Sequence, residues 1–294
     1  MSNSVKNPDQ IRRFLFDEHA IRGQHVSLDS SWQQIVKQSN AEGIAQTLLG
    51  QALAASTLLV ETLNINGSVS LQIRGTGPIH LLVAEATSEH TIRGIIKQSG
   101  EPCEQKSLTD IFGSDKLVIT IKNGKGKPHQ GIVPLSGDNL ADALQAYFNQ
   151  SEQLPTRLWF ACDQHTSCGL LLQKLPEQII DTDAWNRITV LAATTEEQEL
   201  LTLSTDELLH RLFHEEKLRL FEASKIEFSC TCSLERTRDM LVSLGKAEID
   251  DMIAEQEEVS ITCEFCNQHY AFDKVDLELL FIPDESLPLS TTQH

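Results

Sequence analysis

Four of the chain's seven cysteines fall in two tight pairs, Cys230-Thr-Cys232 and Cys263-Glu-Phe-Cys266, with 30 residues between the pairs. Two such pairs, each on its own turn, can converge into a tetrahedral set of thiolates. Zinc takes that set in structural sites, with no open position and no redox change of its own. Iron in a rubredoxin-like site fits less well, because a single residue separates the first two cysteines. His269 is close in sequence, yet four thiolates already fill the shell, so it reads as a surface residue or a neighbour of a ligand. The stretch that carries the pairs, 226–294, is short enough to need a metal or disulfides in place of a large core. The order expected there is strand, Cys pair, helices, strand (VSIT), Cys pair, strand (HYAFD).

Cys103, Cys162 and Cys168 make the cysteine count odd, which argues against a secreted disulfide scaffold. The N-terminus, MSNSVKNPDQIRRFLFDEHA, has neither an apolar segment nor a cleavage-site pattern. No stretch approaches the ~20 apolar residues of a membrane helix. A cytoplasmic protein without a membrane partner is expected. Residues 1–175 carry 15 Lys/Arg against 16 Asp/Glu, whereas residues 176–294 carry 9 against 26. The chain therefore has two physically different parts, and the second lacks the clustered Lys/Arg that nucleic acid requires.

The first part reads as mixed α and β. Small and apolar residues at helical spacing predict a helix near 41–62. Strand signals follow at 69–73, in IHLLVAEA after the Gly75-Thr-Gly77-Pro78 turn, at 92–96 and at 116–122. NGKGKP (123–128) reads as a hairpin loop leading to GIVPL (131–135), and Asp138 as the cap of a helix over about 139–150. Residues 157–162 and 169–175 read as strands, and Pro176 closes this part. After a polar connection with one aromatic, Trp185, the chain turns helical and acidic from about 188 to 222. Thr194-x-x-Glu197 and Ser204-x-x-Glu207 both fit a capping box. Leu200, Leu201, Leu203, Leu208, Leu209, Leu212 and Phe213 supply an apolar stripe. This stretch is either two short amphipathic helices packed on the main domain or a marginally stable switch region whose folding depends on docking. The expected fold class is thus α+β: a large N-terminal antiparallel-sheet domain with helices (1–176), an acidic helical linker (177–225) and a small C-terminal zinc-binding module (226–294).

The thiolate is the oxidisable form of cysteine, so the cluster is either a structural zinc module or a redox switch. Oxidation would eject the metal, form disulfides within each pair and unfold so small a module. The sequence also resembles the 33 kDa heat shock protein family, over essentially the whole chain. The resemblance is carried by FLFDEHAIRGQHVSL (14–28), GQALAASTLL (50–59), GTGPIHLLV (75–83), GIVPL (131–135), YFNQSEQLPTRL (147–158), GLLLQKLP (169–176), LLHRLFHEE (208–216), FSCTCSLER (228–236) and CEFCNQHYAFD (263–273). It implies a redox-regulated, ATP-independent holdase of the bacterial cytoplasm that is not an enzyme. In that reading the reduced protein holds one zinc per chain on Cys230, Cys232, Cys263 and Cys266 and is inactive. Oxidation with mild unfolding forms the disulfides Cys230–Cys232 and Cys263–Cys266, releases zinc, and unfolds module and linker. The protein then forms a homodimer and binds unfolding client proteins. The alternative is a constitutive zinc-stabilised interaction module.

One departure from the family pattern is Ser167-Cys168, where a pair of small residues commonly precedes GLLLQ. Cys162 and Cys168, with His165 between them, raise the question of a second metal, but buried cysteines that pack as small hydrophobes are the simpler reading. Cys103 reads as unpaired. His210 and His214 stand one helical turn apart without the His-Glu-x-x-His pattern and read as a solvated face. The Gly124–Gly131 stretch lacks the Gly-Lys-Ser/Thr of a phosphate loop, and no catalytic set is defensible from spacing.

Overall fold

The chain opens with a hairpin: β1 (Gln10–Phe16) pairs antiparallel with β2 (Ile21–Leu28), whose residues are almost all buried. The computed structural model describes residues 8–99, 107–135, 137, 139–176, 181–255 and 258–281. Helices α1 (Ser30–Ser39) and α2 (Gly43–Leu63) follow, then the meander β3 (Gly67–Arg74), β4 (Ile79–Thr87) and β5 (Thr91–Gln98). A short α3 (Leu108–Phe112) precedes the hairpin β6 (Lys116–Asn123) and β7 (His129–Pro134). Next, α4 (Leu140–Tyr147) widens into a π turn at Phe148–Glu152 before the hairpin β8 (Thr156–Cys162) and β9 (Ser167–Lys174). Three helices, α5 (Ala184–Ala192), α6 (Glu197–Thr202) and α7 (Thr205–Phe213), lead to short strands β10 (Leu218–Leu220), β11 (Ser224–Lys225) and β12 (Glu227–Phe228). The remainder is α8 (Leu234–Leu244), α9 (Lys246–Glu255), β13 (Glu258–Thr262), β14 (His269–Asp273) and α10 (Lys274–Leu279). Two compact units result, Met1–Ser229 and Cys230–His294.

The larger unit holds two sheets. One has the order β10-β1-β2-β9-β8 with β11 also on β1; the other runs β12-β5-β4-β3-β6-β7. Pairing is antiparallel except for β12 on β5. Helix α2 packs against strands of both sheets, and 14 of its 21 residues are buried. A helix covered on both sides needs no polar face. For that reason its apolar run does reach the length of a membrane span, contrary to the expectation from sequence, with 78% of the apolar window buried inside the fold.

The opposite face of the first sheet forms a second core. Phe14, Phe16, Ile21, Leu170 and Leu172 meet Ile188, Leu200, Leu208, Leu209, Leu212 and Phe213 of α5–α7. Phe213 stands edge-on to Phe16 with centroids 5.2 Å apart, and the Phe14 ring lies so close over Gly23 that a Cβ there would meet it at 2.1 Å. The expected apolar stripe thus packs on α6 and α7, and a third helix, α5, joins the same cluster where sequence suggested two.

Several local expectations are corrected. The helix does not run to 222: residues 218–220 extend as β10 and pair with β1. It begins earlier than 188, with Trp185 inside α5. The first capping box is Glu196/Glu199 and not Thr194/Glu197, because Thr194 Oγ1 donates to Leu191 O and closes the end of α5. The Ser204/Glu207 box forms as read. Asn139, accepting from Asp142 N, caps α4, and Asp138 lies outside the described residues. β1, β2 and α1 have no counterpart in the sequence reading.

His25, on β2, is buried beneath α7. Its Nδ1 shares a 2.9 Å hydrogen bond with Thr205 Oγ1, and its Nε2 has no hydrogen-bond partner. Burial lowers its pKa from 6.5 to about 4. The charged or titratable neighbours on that face are Arg12 of β1, Cys168 of β9, and Asp206 and Glu207 at the α7 N-terminus. A folded pKa below the unfolded one means that the neutral ring stabilises docking above pH 6.5, and that this contribution is lost as pH falls toward 4. The loss is about 1.4 kcal/mol by pH 5.5. We expect proteolysis of the α6–α7 segment in reduced protein to accelerate about tenfold between pH 7 and 5.5, and His25→Gln to flatten that dependence. An equally steep profile in the variant would refute the assignment.

Candidate metal centre

The smaller unit has a small core: among the described residues, Leu241, Ile249, Val259, Phe272 and Leu277 are its buried apolar side chains. Ser233 caps α8 by accepting from Arg236 N, which ends the loop carrying Cys230 and Cys232. Cys263 and Cys266 sit in the turn between β13 and β14. There Cys263 N donates to Gln268 O, Asn267 N donates to Cys263 O, and Asn267 takes a φ of 57°. That tight turn points both thiols the same way.

The four thiols converge, with all Sγ atoms within 4.8 Å of one another. Two close approaches run across the pairs, Cys232–Cys266 at 3.3 Å and Cys230–Cys263 at 3.6 Å. Bonds of about 2.3 Å to a tetrahedral centre give sulfur–sulfur edges of about 3.8 Å, so the set fits a metal ion of that geometry. All four residues are half-buried. Tyr270 Oη donates to Cys232 Sγ at 3.2 Å, and this hydrogen bond pulls the Cys232 thiol down to about 7. The same bond raises the Tyr270 hydroxyl to about 12. Desolvation pushes the Cys230 and Cys266 thiols up. A bound cation would reverse that cost by favouring the thiolates.

Tyr270 was not found from sequence. Its signal is weak: β14 carries it opposite Ile261, four residues after Cys266. His269 is exposed and shares a 3.1 Å hydrogen bond with Thr262 Oγ1, leaving the sulfur set to cysteine alone.

The other candidates stay apart. Cys168 is fully buried, its thiol donating to Ser27 Oγ at 3.6 Å and pushed up to about 12 by burial. Cys162 is half-buried on the neighbouring strand, opposite Ser167, and burial raises its thiol too. Among the described residues, His165 joins neither of them in a metal-sized cluster. His210 and His214 are exposed with ring centroids 5.9 Å apart. The Gly124 turn joins β6 to β7 as a hairpin. Cys103 lies outside the described residues.

Comparison with known proteins bears on the whole chain. The sequence model of the family described as Hsp33 protein matches residues 9–273. A 33 kDa chaperonin of Nitrosococcus oceani is 44% identical over 290 residues, covering 99% of this chain and 100% of that one. The 33 kDa chaperonin of Neisseria meningitidis is 39% identical over 298 residues, covering 99% of each chain. The crystal structure of the 33 kDa chaperonin from Thermotoga maritima superposes with a TM-score of 0.77, at 24% identity, over 92% of this chain and 97% of that one.

Proposed function

The chain belongs to the Hsp33 family, and from that premise we propose that it is a redox-regulated, ATP-independent holdase of the cytoplasm. The observation that carries the reading is four converging thiols in a unit with five buried apolar side chains among the described residues. Cys230, Cys232, Cys263 and Cys266 would hold one zinc ion, which supplies a charge that keeps all four sulfurs as thiolates and crosslinks the two turns.

Oxidation then acts on the sulfurs. One thiolate attacks hydrogen peroxide, forming a sulfenic acid and releasing hydroxide. Its partner thiolate displaces a second hydroxide and closes the disulfide, so each pair gives up two electrons to one peroxide. Each disulfide removes two ligands from the set. Cross-pair bonds, between sulfurs 3.6 and 3.3 Å apart in the folded site, would staple turns 33 and 34 residues apart and preserve the module. Bonds within the pairs, Cys230–Cys232 and Cys263–Cys266, form small local rings and leave the module free to unfold. Activation therefore needs oxidation and unfolding together, as in oxidative stress with heat. Ser229 precedes Cys230 directly, so an unfolded module pulls on the end of the linker. The helices α5–α7 then leave Phe14, Phe16, Leu170 and Leu172 open to unfolding clients, and the exposed face favours a homodimer. Nucleic acid and membrane have no part in this reading.

Light scattering of a heat-unfolded client tests it. Suppression by the peroxide-oxidised, warmed protein and none by the reduced, zinc-loaded protein is expected. Equal behaviour of the two forms would leave a constitutive zinc-stabilised binding module.

A further inference from the structure

The segment Lys217–Ser229 runs as an extended strap along the outer edges of both sheets. Asp17 N donates to Lys217 O, Phe221 N to Arg13 O, and Ile226 N to Asp9 O along β1. The strap then crosses to the second sheet, where Glu227 N donates to His90 O and Ser229 N to Ile92 O beside β5. Its side chains hold on weakly. Only Ile226 is buried; Leu218, Leu220 and Phe228 are half-buried, while Lys217, Arg219, Phe221, Glu222, Ala223, Lys225 and Glu227 are exposed. Its ion pairs, such as Arg219–Asp17 at 2.8 Å, lie at the surface, where such pairs contribute little. The grip is therefore mostly main chain. Its apolar contacts come from residues spaced two apart, Leu218 with Leu220 and Ile226 with Phe228, the period of a strand.

A sheet edge without its cover presents unpaired N–H and C=O groups and pairs readily with other extended chain. We propose that, once the linker is released, the edges of β1 (residues 9–17) and β5 (residues 90–92) bind extended segments of unfolding clients by main-chain pairing, preferring segments whose apolar residues alternate, and that the strap is the chain's own occupant of that site. The proposal rests on the linker release described above. It adds a recognition chemistry to the apolar face. Burying client against Phe14 and Phe16 while leaving the β1 edge unpaired would strand polar backbone, whereas an extended client strand satisfies both. Main-chain pairing carries no sequence requirement beyond the alternation, which suits a protein that must take many clients.

The test uses full-length oxidised protein and a fluorescent peptide of the strap sequence, KLRLFEASKIEFS. Anisotropy should show binding to the oxidised form, none to the reduced form, and displacement by a heat-unfolded client. Methylating the backbone nitrogens of Phe221, Ile226, Glu227 and Ser229 keeps every side chain but removes four of the strap's main-chain donors, and should weaken binding by about 100-fold. A peptide of the same composition with its apolar residues at helical spacing should bind as poorly. Equal affinity of methylated and unmethylated peptides, failure of the client to compete, or peptide uptake only when a dimer dissociates would each overturn the edge site. The last result would assign the edge to a second copy of the chain. Oxidised protein that fails to suppress client aggregation at all would instead defeat the holdase reading.

Discussion

Stripping the metal from reduced protein with a chelator is expected to unfold residues 230–281 while β1–β9 stay protected. Structural zinc contributes about 10–16 kcal/mol to the folding of comparable small modules at neutral pH. Each buried apolar side chain of the module contributes about 2 kcal/mol, and the five present must offset the ordering of the two helices, the β13–β14 hairpin and α10. Without the crosslink that balance turns against folding. Hydrogen exchange of the β13–β14 amides should accelerate by at least about 1,000-fold on chelation. Cys232→Ser should give a weaker version of the same result, since it removes one ligand and the acceptor of the Tyr270 hydroxyl. Unchanged exchange in the hairpin after verified metal removal would break the link between metal and fold.

The second large effect is at Phe213. This residue is 1% exposed and wedges between Phe14 and Phe16, with centroids 6.4 and 5.2 Å away. Phe213→Ala deletes the aromatic anchor of α7 and leaves a cavity against the sheet, at a cost of about 3–5 kcal/mol. Phe213 belongs to the cluster between the linker helices and the sheet, separate from the cluster around α2, so most of that loss falls on docking and little on the α2 core. Reduced, metal-loaded Phe213→Ala should therefore suppress client aggregation without oxidation, and its residues 181–229 should be cut by protease while 9–176 resist. Phe213→Leu, which conserves much of the volume, should lie between the two. A variant that stays inert when reduced, despite demonstrated cleavage of α6–α7, would show that linker release is insufficient for client binding.

The two cysteine pairs, their spacing, and the turn and strand signals around the second pair were legible because each is local. A Cys-x-x-Cys turn, a strand of alternating VSIT and a following HYAFD specify their own geometry within a dozen residues. The meander β3–β5, the β6–β7 hairpin and the apolar stripe of α6–α7 were legible for the same reason. What escaped was set by partners far away in the chain. Leu218–Leu220 reads as helix after an acidic, leucine-rich run, and becomes a strand because β1, some 200 residues earlier, offers an open edge. Thr194 fits a capping box, but the preceding helix takes its hydroxyl first. The run Gly43–Leu63 is buried along most of its length because strands of two sheets cover it, a fact no window of sequence contains. His25 and Tyr270 gained their chemistry the same way, from Thr205 and Cys232, residues 180 and 38 positions distant. Local pattern thus determined the cysteine-bearing turns and most elements, whereas long-range pairing and burial decided which edges are covered, which rings are neutral and what holds the linker down.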